Sequence, residues 1–181
     1  LNRGKRVICE AGRSYSPERF AKWQYSPYLL TTIPGDVVVT KPDNLENIAK
    51  HKTIENLVND QTQHAILAKG QLYSEPVEQA LKNKRLWIDK ITSSDDHSNF
   101  LVWKGRADYS ISDLLQLREA QKRRPILNEL VYVRLDGQMK ESHLYIVCSK
   151  ATPIEILEKI NVAMKELNYK IGPEFLKSDQ P

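Results

Sequence analysis

Four consecutive β-branched residues, Val37-Val38-Val39-Thr40, lie between two pairs of chain breakers, Pro34-Gly35 and Pro42-Asp43. Branching at Cβ favours the extended backbone, so this run is a strand bounded by turns. The same punctuation recurs along the chain. Arg6–Cys9 is expected as a strand that turns at Ala11-Gly12, and Ser16-Pro17-Glu18 then writes a helix start that Ser26-Pro27-Tyr28 cuts short. Leu45, Ile48 and Ala49 make a short helical face. Gln63–Ala68 is a strand closed by Lys69-Gly70, and Ser74 opens a helix through Leu81. Arg85–Ile88 is a further strand, Ser93–Ser98 a loop or cap, and Phe100, Leu101 and Trp103 a short helix ended by Gly105. Ala107–Ile111 is a strand running into Ser112-Asp113 and a helix from Leu114 to about Arg123. Val131–Val133 and Leu144–Cys148 are strands. Thr152-Pro153-Ile154-Glu155 reads as a capping box, followed by an apolar face of Ile156, Ile160, Ala163, Met164 and Leu167. Strand and helix alternate almost throughout, which predicts an α/β fold with at least one parallel-rich sheet.

Composition narrows the function classes. The 181 residues suffice for one large or two small domains, and 40% of them are hydrophobic, so a packed core is affordable. No apolar run approaches the roughly 18 residues of a membrane-spanning helix, so no membrane insertion is expected. Lys and Arg number 27 against 23 acids, a net +4, and no basic cluster is interleaved with stacking aromatics. Nucleic acid is therefore not an expected partner. The chain opens Leu1-Asn2-Arg3-Gly4-Lys5-Arg6, without Met and without the apolar stretch of a signal peptide.

Enzyme motifs are absent: no nucleophile elbow, phosphate-binding loop, dinucleotide fingerprint or zinc-protease helix occurs. His51, His64, His97 and His143 are not paired at metal-ligand spacing, and Asp95-Asp96-His97 reads as a solvated loop, so no metal, cofactor or catalytic residue is assigned. Three places suit a small charged ligand. Gly12-Arg13-Ser14-Tyr15-Ser16-Pro17-Glu18-Arg19 exposes N–H groups and hydroxyls at a helix start with an arginine one turn in, a grip for a carboxylate. Its plainer reading is that Ser16 caps a helix and Arg19 is a surface charge. Lys69-Gly70-Gln71 ends a strand before another helix N-terminus, which plain connectivity also explains. Asp113 stands at the carboxyl end of a strand and has two roles open to it: accepting from an ammonium group, or capping the helix at Leu114.

Taken in order, these segments resemble the bacterial extracellular solute-binding proteins of the polar amino-acid class, family 3. Ala11-Gly12-Arg13-Ser14-Tyr15-Ser16-Pro17-Glu18-Arg19 is similar to that family's AGxTxTxER segment, and Tyr25-Ser26-Pro27-Tyr28 to its FSxPY. Val37–Lys41 fits its first hinge strand, and Gly105-Arg106-Ala107-Asp108-Tyr109-Ser110-Ile111-Ser112-Asp113 its GRxDAxxxD segment. Leu144–Lys150 and the helix after Thr152 fit its return strand and terminal helix. The resemblance implies the type 2 periplasmic-binding architecture, two α/β lobes joined by hinge strands, with the first lobe incomplete in this chain. Residues 1–38 and 147–181 would belong to the first lobe and 42–140 to the second, with hinges near 37–41 and 142–147.

By the same resemblance, Ser14 and Arg19 hold a ligand α-carboxylate, Asp113 accepts from the α-ammonium, Gly12 is a backbone donor, and Gly70 with Gln71 completes the carboxylate site. The family often carries a small hydroxyl residue after that glycine, whereas Gln71-Leu72 stands here. Cys9 and Cys148 would lie on strands of one lobe, which leaves a disulfide and two buried free thiols both open. The implied function is capture of a small polar ligand, an amino acid or related carboxylate, by a periplasmic, monomeric receptor that delivers it to the membrane subunits of an ABC importer. The alternatives are a sensory module of the same fold and a cyclohexadienyl-dehydratase-like enzyme. That enzyme would draw on Glu18, Asp108 or Asp113 as its acid or base.

Overall fold

A computed structural model of the chain describes residues 6–83, 87–92 and 95–176. The chain forms two compact units: Leu1–Ile33 with Ser142–Pro181 is unit 1, and Pro34–Glu141 is unit 2. The chain thus changes unit at Ile33/Pro34, a few residues before the hinge expected at 37–41, and again at Glu141/Ser142, beside the one expected at 142–147.

Unit 2 is built on the β-branched run. Asp36–Thr40 forms strand β3, and every position of it is buried. Val38 packs on one side with Ile48, Leu57, Leu67, Tyr109 and Ile111. Val37 and Val39 pack on the other with Ile66, Val102, Leu117 and Leu127. A strand covered on both faces has no place for polar alternation, which is why the run is uninterrupted. Each fully buried valine contributes about 1.5–3 kcal/mol. β3 shares its sheet with β4 (Ala65–Ala68), β5 (Ile88–Thr92), β6 (Tyr109–Asp113) and β7 (Val131–Val133), in the order β5-β4-β6-β3-β7. β4 is parallel to β5 and β6, while β3 is antiparallel to β6 and β7, so the sheet is mixed.

The helices of unit 2 are α2 (Leu45–Ala49), α3 (Ile54–Asn59), α4 (Glu75–Lys82), α5 (Asp95–Trp103) and α6 (Leu114–Arg123). α3 carries no expectation from the sequence, yet it buries Ile54, Leu57 and Val58 and is capped by Thr53, whose hydroxyl accepts from Asn56 N at 3.1 Å. α5 begins at Asp95, so Asp95–Ser98 is helix where a loop or cap is expected. Ser93 lies outside the described residues, as do Arg85 and Leu86 of the expected Arg85–Ile88 strand. α5 ends as expected at Gly105, with Gly105 N bonded to Val102 O and Arg106 N to Leu101 O, the paired bonds of a Schellman turn. Gly35 serves a close approach: a Cβ there would overlap the carbonyl oxygen of Met139, and Gly35 N donates to Lys140 O at 2.9 Å.

In unit 1, β1 (Cys9–Ser14), β8 (Glu141–Ser149) and β2 (Trp23–Pro34) form a sheet in the order β1-β8-β2. The strand expected at 6–9 is displaced to 9–14. It passes through Ala11-Gly12 as a bulge in the antiparallel β1–β8 ladder, between Glu10↔Val147 and Arg13↔Tyr145. Gly12 takes φ +80 there, a conformation that the extra residue of a bulge imposes and glycine meets without strain. Ser26-Pro27-Tyr28 ends no element; it lies inside β2. Cys9 and Cys148 face each other across the ladder and are joined by a disulfide.

α1 (Pro17–Lys22), α7 (Ile154–Glu166) and α8 (Pro173–Leu176) complete the unit. The capping box does not form. The Thr152 hydroxyl lies 3.0 Å from Ser149 Oγ and bonds to Ile8 O, which ties it to the strand ends and away from α7. The expected apolar face of α7 is also only partly right. Met164 is buried together with Leu157, but Ile156, Ala163 and Leu167 are exposed. Apolar residues occur on several sides of this helix, and periodicity alone does not say which side meets the sheet.

α8 is held by a hydrogen-bonded carboxylate: Glu174 accepts from the Tyr145 hydroxyl and lies 2.9 Å from His143 Nδ1, while Phe175 packs on Tyr15, Tyr25 and Tyr145. Burial pushes the Glu174 carboxyl up, but the bonds from Tyr145 and His143 more than offset it and hold the group below its ordinary value.

Replacing Cys9 by Ser and Cys148 by Ala is expected to lower the unfolding free energy by about 3–5 kcal/mol, measured by urea titration, because the cross-link closes a long loop. A carboxyl with a lowered value stabilises the fold above its ordinary titration range and loses that contribution as pH falls through its folded value. The Tm gap between the native chain and Glu174→Gln should therefore be widest near neutral pH and close in acid below the ordinary 4.5.

Candidate functional site

The expected ligand residues divide between the units: Gly12, Ser14 and Arg19 lie in unit 1, and Gly70, Gln71 and Asp113 in unit 2. In unit 1 a six-residue helix follows the bulged strand. Its cap is Ser16, whose Oγ accepts from Arg19 N at 3.2 Å, with Pro17 at the first helical position. The cap thereby fixes the backbone of Arg19. The guanidinium is fixed as well, since Nη1 donates to Ser14 Oγ at 3.1 Å and to Ser14 O at 3.3 Å. Tyr25 adds its hydroxyl to the same carbonyl at 3.0 Å. Burial pushes the Tyr25 phenol up, although Arg19 and Arg13 oppose it, so the phenol remains a donor at neutral pH.

The Ser16 cap therefore forms, and Arg19 is held against Ser14 by its guanidinium. The neighbouring charges are taken elsewhere: Arg13 pairs with Glu10, and Glu18 with Lys22 at 2.6 Å. Glu18 sits on an exposed helix face.

In unit 2 the adjacent parallel strands β4 and β6 end on one edge of the sheet. β4 runs into Lys69-Gly70, where Gly70 has φ +80. The Tyr73 hydroxyl closes the loop by accepting from Ala68 N at 2.8 Å and donating to Ala68 O at 3.1 Å. The loop delivers Ser74 to the start of α4, where its Oγ is buried and has no hydrogen-bond partner among the described residues. A buried hydroxyl with no partner is costly.

β6 ends in Asp113, whose Oδ1 caps α6 by accepting from Gln116 N at 2.8 Å. Asp113 is only 5% exposed, and burial pushes its carboxyl above the ordinary value, opposed by the N–H groups of Gln116 and Leu115. Its register partner on β3 is Asp36, itself buried. Sequence spacing gives no hint of this carboxylate, because it depends on β3 pairing with a strand more than seventy residues away.

Among the described residues no group of His, Cys, Asp and Glu could hold a metal ion, and no helix is long and apolar enough to cross a membrane. No family model and no curated protein matches the chain. Solved structures do match in fold. An ancestral amino-acid-binding protein, AncCDT-1, a precursor of cyclohexadienyl dehydratase, superposes with a TM-score of 0.61 at 23% identity, over 86% of this chain and 60% of that one. A histidine kinase sensor domain with similarity to periplasmic binding proteins gives 0.70 at 15%, over 91% and 67%. A structure from Streptococcus mutans bearing on glutathione import via GshT and the cystine ABC importer TcyBC gives 0.60 at 20%, over 85% and 60%. The architecture is the type 2 periplasmic-binding fold. The chain spans 60–67% of the length of these neighbours, consistent with a first lobe present only in part.

The two roles of Asp113 separate experimentally. Asn caps a helix as well as Asp, so Asp113→Asn should keep Tm near that of the native chain, while Asp113→Ala should cost about 1 kcal/mol in thermal denaturation. A raised carboxyl value costs stability as pH climbs from the ordinary 3.8 through the folded value, and Asp113→Asn should remove that part of the pH dependence.

Proposed function

We propose that this chain is the ligand-binding part of an extracytoplasmic receptor that captures a small polar ligand, an amino acid or related carboxylate, for an ABC importer. The observation that carries the reading is the fixed guanidinium of Arg19, held by Ser14 and by the Ser16 cap on a fold shared with amino-acid-binding proteins. A planar guanidinium locked before the ligand arrives loses little entropy when it forms a bidentate pair with a carboxylate. Asp113 accepts the ligand's ammonium, and Ser74 supplies the hydroxyl that Gln71 and Leu72 lack. Binding without catalysis is supported by two of the three candidate acids being engaged elsewhere, Glu18 with Lys22 at the surface and Asp108 with His64 N at 2.7 Å. The Cys9–Cys148 disulfide suits an oxidising compartment outside the cytoplasm.

A second reading, a sensory module that passes ligand binding to a signalling partner, is favoured by the match to the histidine kinase sensor domain. Sequence flanking the chain in its gene distinguishes the two, since a membrane segment leading into a kinase belongs to a sensor.

Calorimetry on the full protein against the twenty amino acids and simple dicarboxylates tests the binding site. One of them should bind, and Arg19→Ala and Asp113→Asn should each weaken it by about 1.5–3 kcal/mol. Binding that survives both changes refutes the charge clamp.

A further inference from the structure

The edge of the unit 2 sheet opposite Gly70 and Asp113 carries a second constellation. His64 precedes β4, Asp108 precedes β6, and Arg106 and Lys104 flank the Gly105 turn that ends α5. Together with Ile66, Asp89 and Leu101, three of them, His64, Lys104 and Arg106, line a pocket of about 570 Å³.

Its polar groups are unequally committed. His64 is fully engaged: Nδ1 lies 3.2 Å from Arg106 O and Nε2 3.1 Å from Asp89 Oδ2. The Asp89 carboxylate is thereby taken up by the His64 ring, and the Asp108 carboxylate accepts from the His64 backbone N–H.

The two cations are not answered. Neither Lys104 nor Arg106 has a carboxylate within ion-pair distance among the described residues, and both are exposed. Lys104 Nζ is placed instead by two ring faces, 4.8 Å from the centroid of Trp103 and 5.5 Å from that of Phe100, which stack on each other. Ring faces hold an ammonium by its charge and leave its N–H groups unspent. Lys41 Nζ also lies beside the Gly105 turn, where a Cβ on the glycine would come within 3.5 Å of it. The floor between these heads is apolar, made of Ile66 and Leu101.

We propose that this pocket is a second binding site, separate from the amino-acid site, for a small organic anion. Lys104 and Arg106 hold its oxyanion head, carboxylate or phosphate, and Ile66 and Leu101 receive its apolar body. Arg106 supplies the planar fork and Lys104 a point charge, a pairing that grips either head. A bare inorganic ion would leave most of the pocket and its apolar floor unused.

The test uses benzoate and phenyl phosphate as probes, with phenol as the body without the head, followed by calorimetry and by amide chemical shifts of the full chain. At least one anionic probe should bind, shift the amides of residues 64–66 and 101–106, and bind more tightly than phenol. The probe that binds better identifies the head as carboxylate or phosphate. Lys104→Ala with Arg106→Ala, both at exposed positions and checked by an unchanged Tm, should weaken it at least about tenfold. The proposal is overturned if neither anion shifts those amides at about 10 mM, or if the double variant binds as well as the native chain.

Discussion

Unit 1 is built on the pairing of β1 with β8, segments that the whole of unit 2 separates in sequence, and the Cys9–Cys148 bond pins that pairing with a sequence separation of 139. A pairing between segments so far apart pays a loop-closure entropy that local elements never meet. The cross-link removes part of that cost from the unfolded chain, and it does so at the ladder that sets everything else in the unit. The bulge at Gly12, the placement of Ser14 and the aromatic cluster around Tyr145 are all read off the register of β1 against β8. The exchange points tell the same story at the other boundary. Gly35 lies against Met139 and Lys140, so the strands entering and leaving unit 2 run in backbone contact.

The candidate site repeats one device. A strand end leads into a helix start whose first residues carry the chemistry: Ser16 caps α1 and Asp113 caps α6 with their side chains, while Ser74 stands at the start of α4 with its hydroxyl unspent among the described residues. Helix starts offer unpaired N–H groups and a favourable dipole to anions. The caps do more than stop the helices; they fix the backbone beneath Arg19 and hold Asp113 in a buried place where its charge is costly. A carboxylate kept in such a place beside Asp36 has an electrostatic cost that a cationic group could offset.

Much of this was legible in residue order. The Val37–Thr40 run, the Gly105 stop, the Ser16-Pro17 start and the helix at Leu114 all rest on local stereochemistry, and each appears at its expected place. The failures have a common physical cause. Thr152 has the spacing of a capping box, but Ser149 and Ile8 compete for its hydroxyl. Ser26-Pro27-Tyr28 reads as a break, but sheet pairing absorbs it into β2. On α7 the expected face is right at Met164, but packing buries Leu157 instead of Ile156 and Leu167.

The sequence by itself determined the elements, the α/β class and the identity of the charged residues that stand at strand and helix ends, because these follow from backbone preference within a few residues. Tertiary structure alone decided which of those residues meet. It joined Cys9 to Cys148, set Asp36 beside Asp113, buried the Ser74 hydroxyl and left Lys104 and Arg106 without a carboxylate partner among the described residues. Each of these depends on pairings between distant segments, whose energy comes from burial and register and is not encoded in any single stretch of chain.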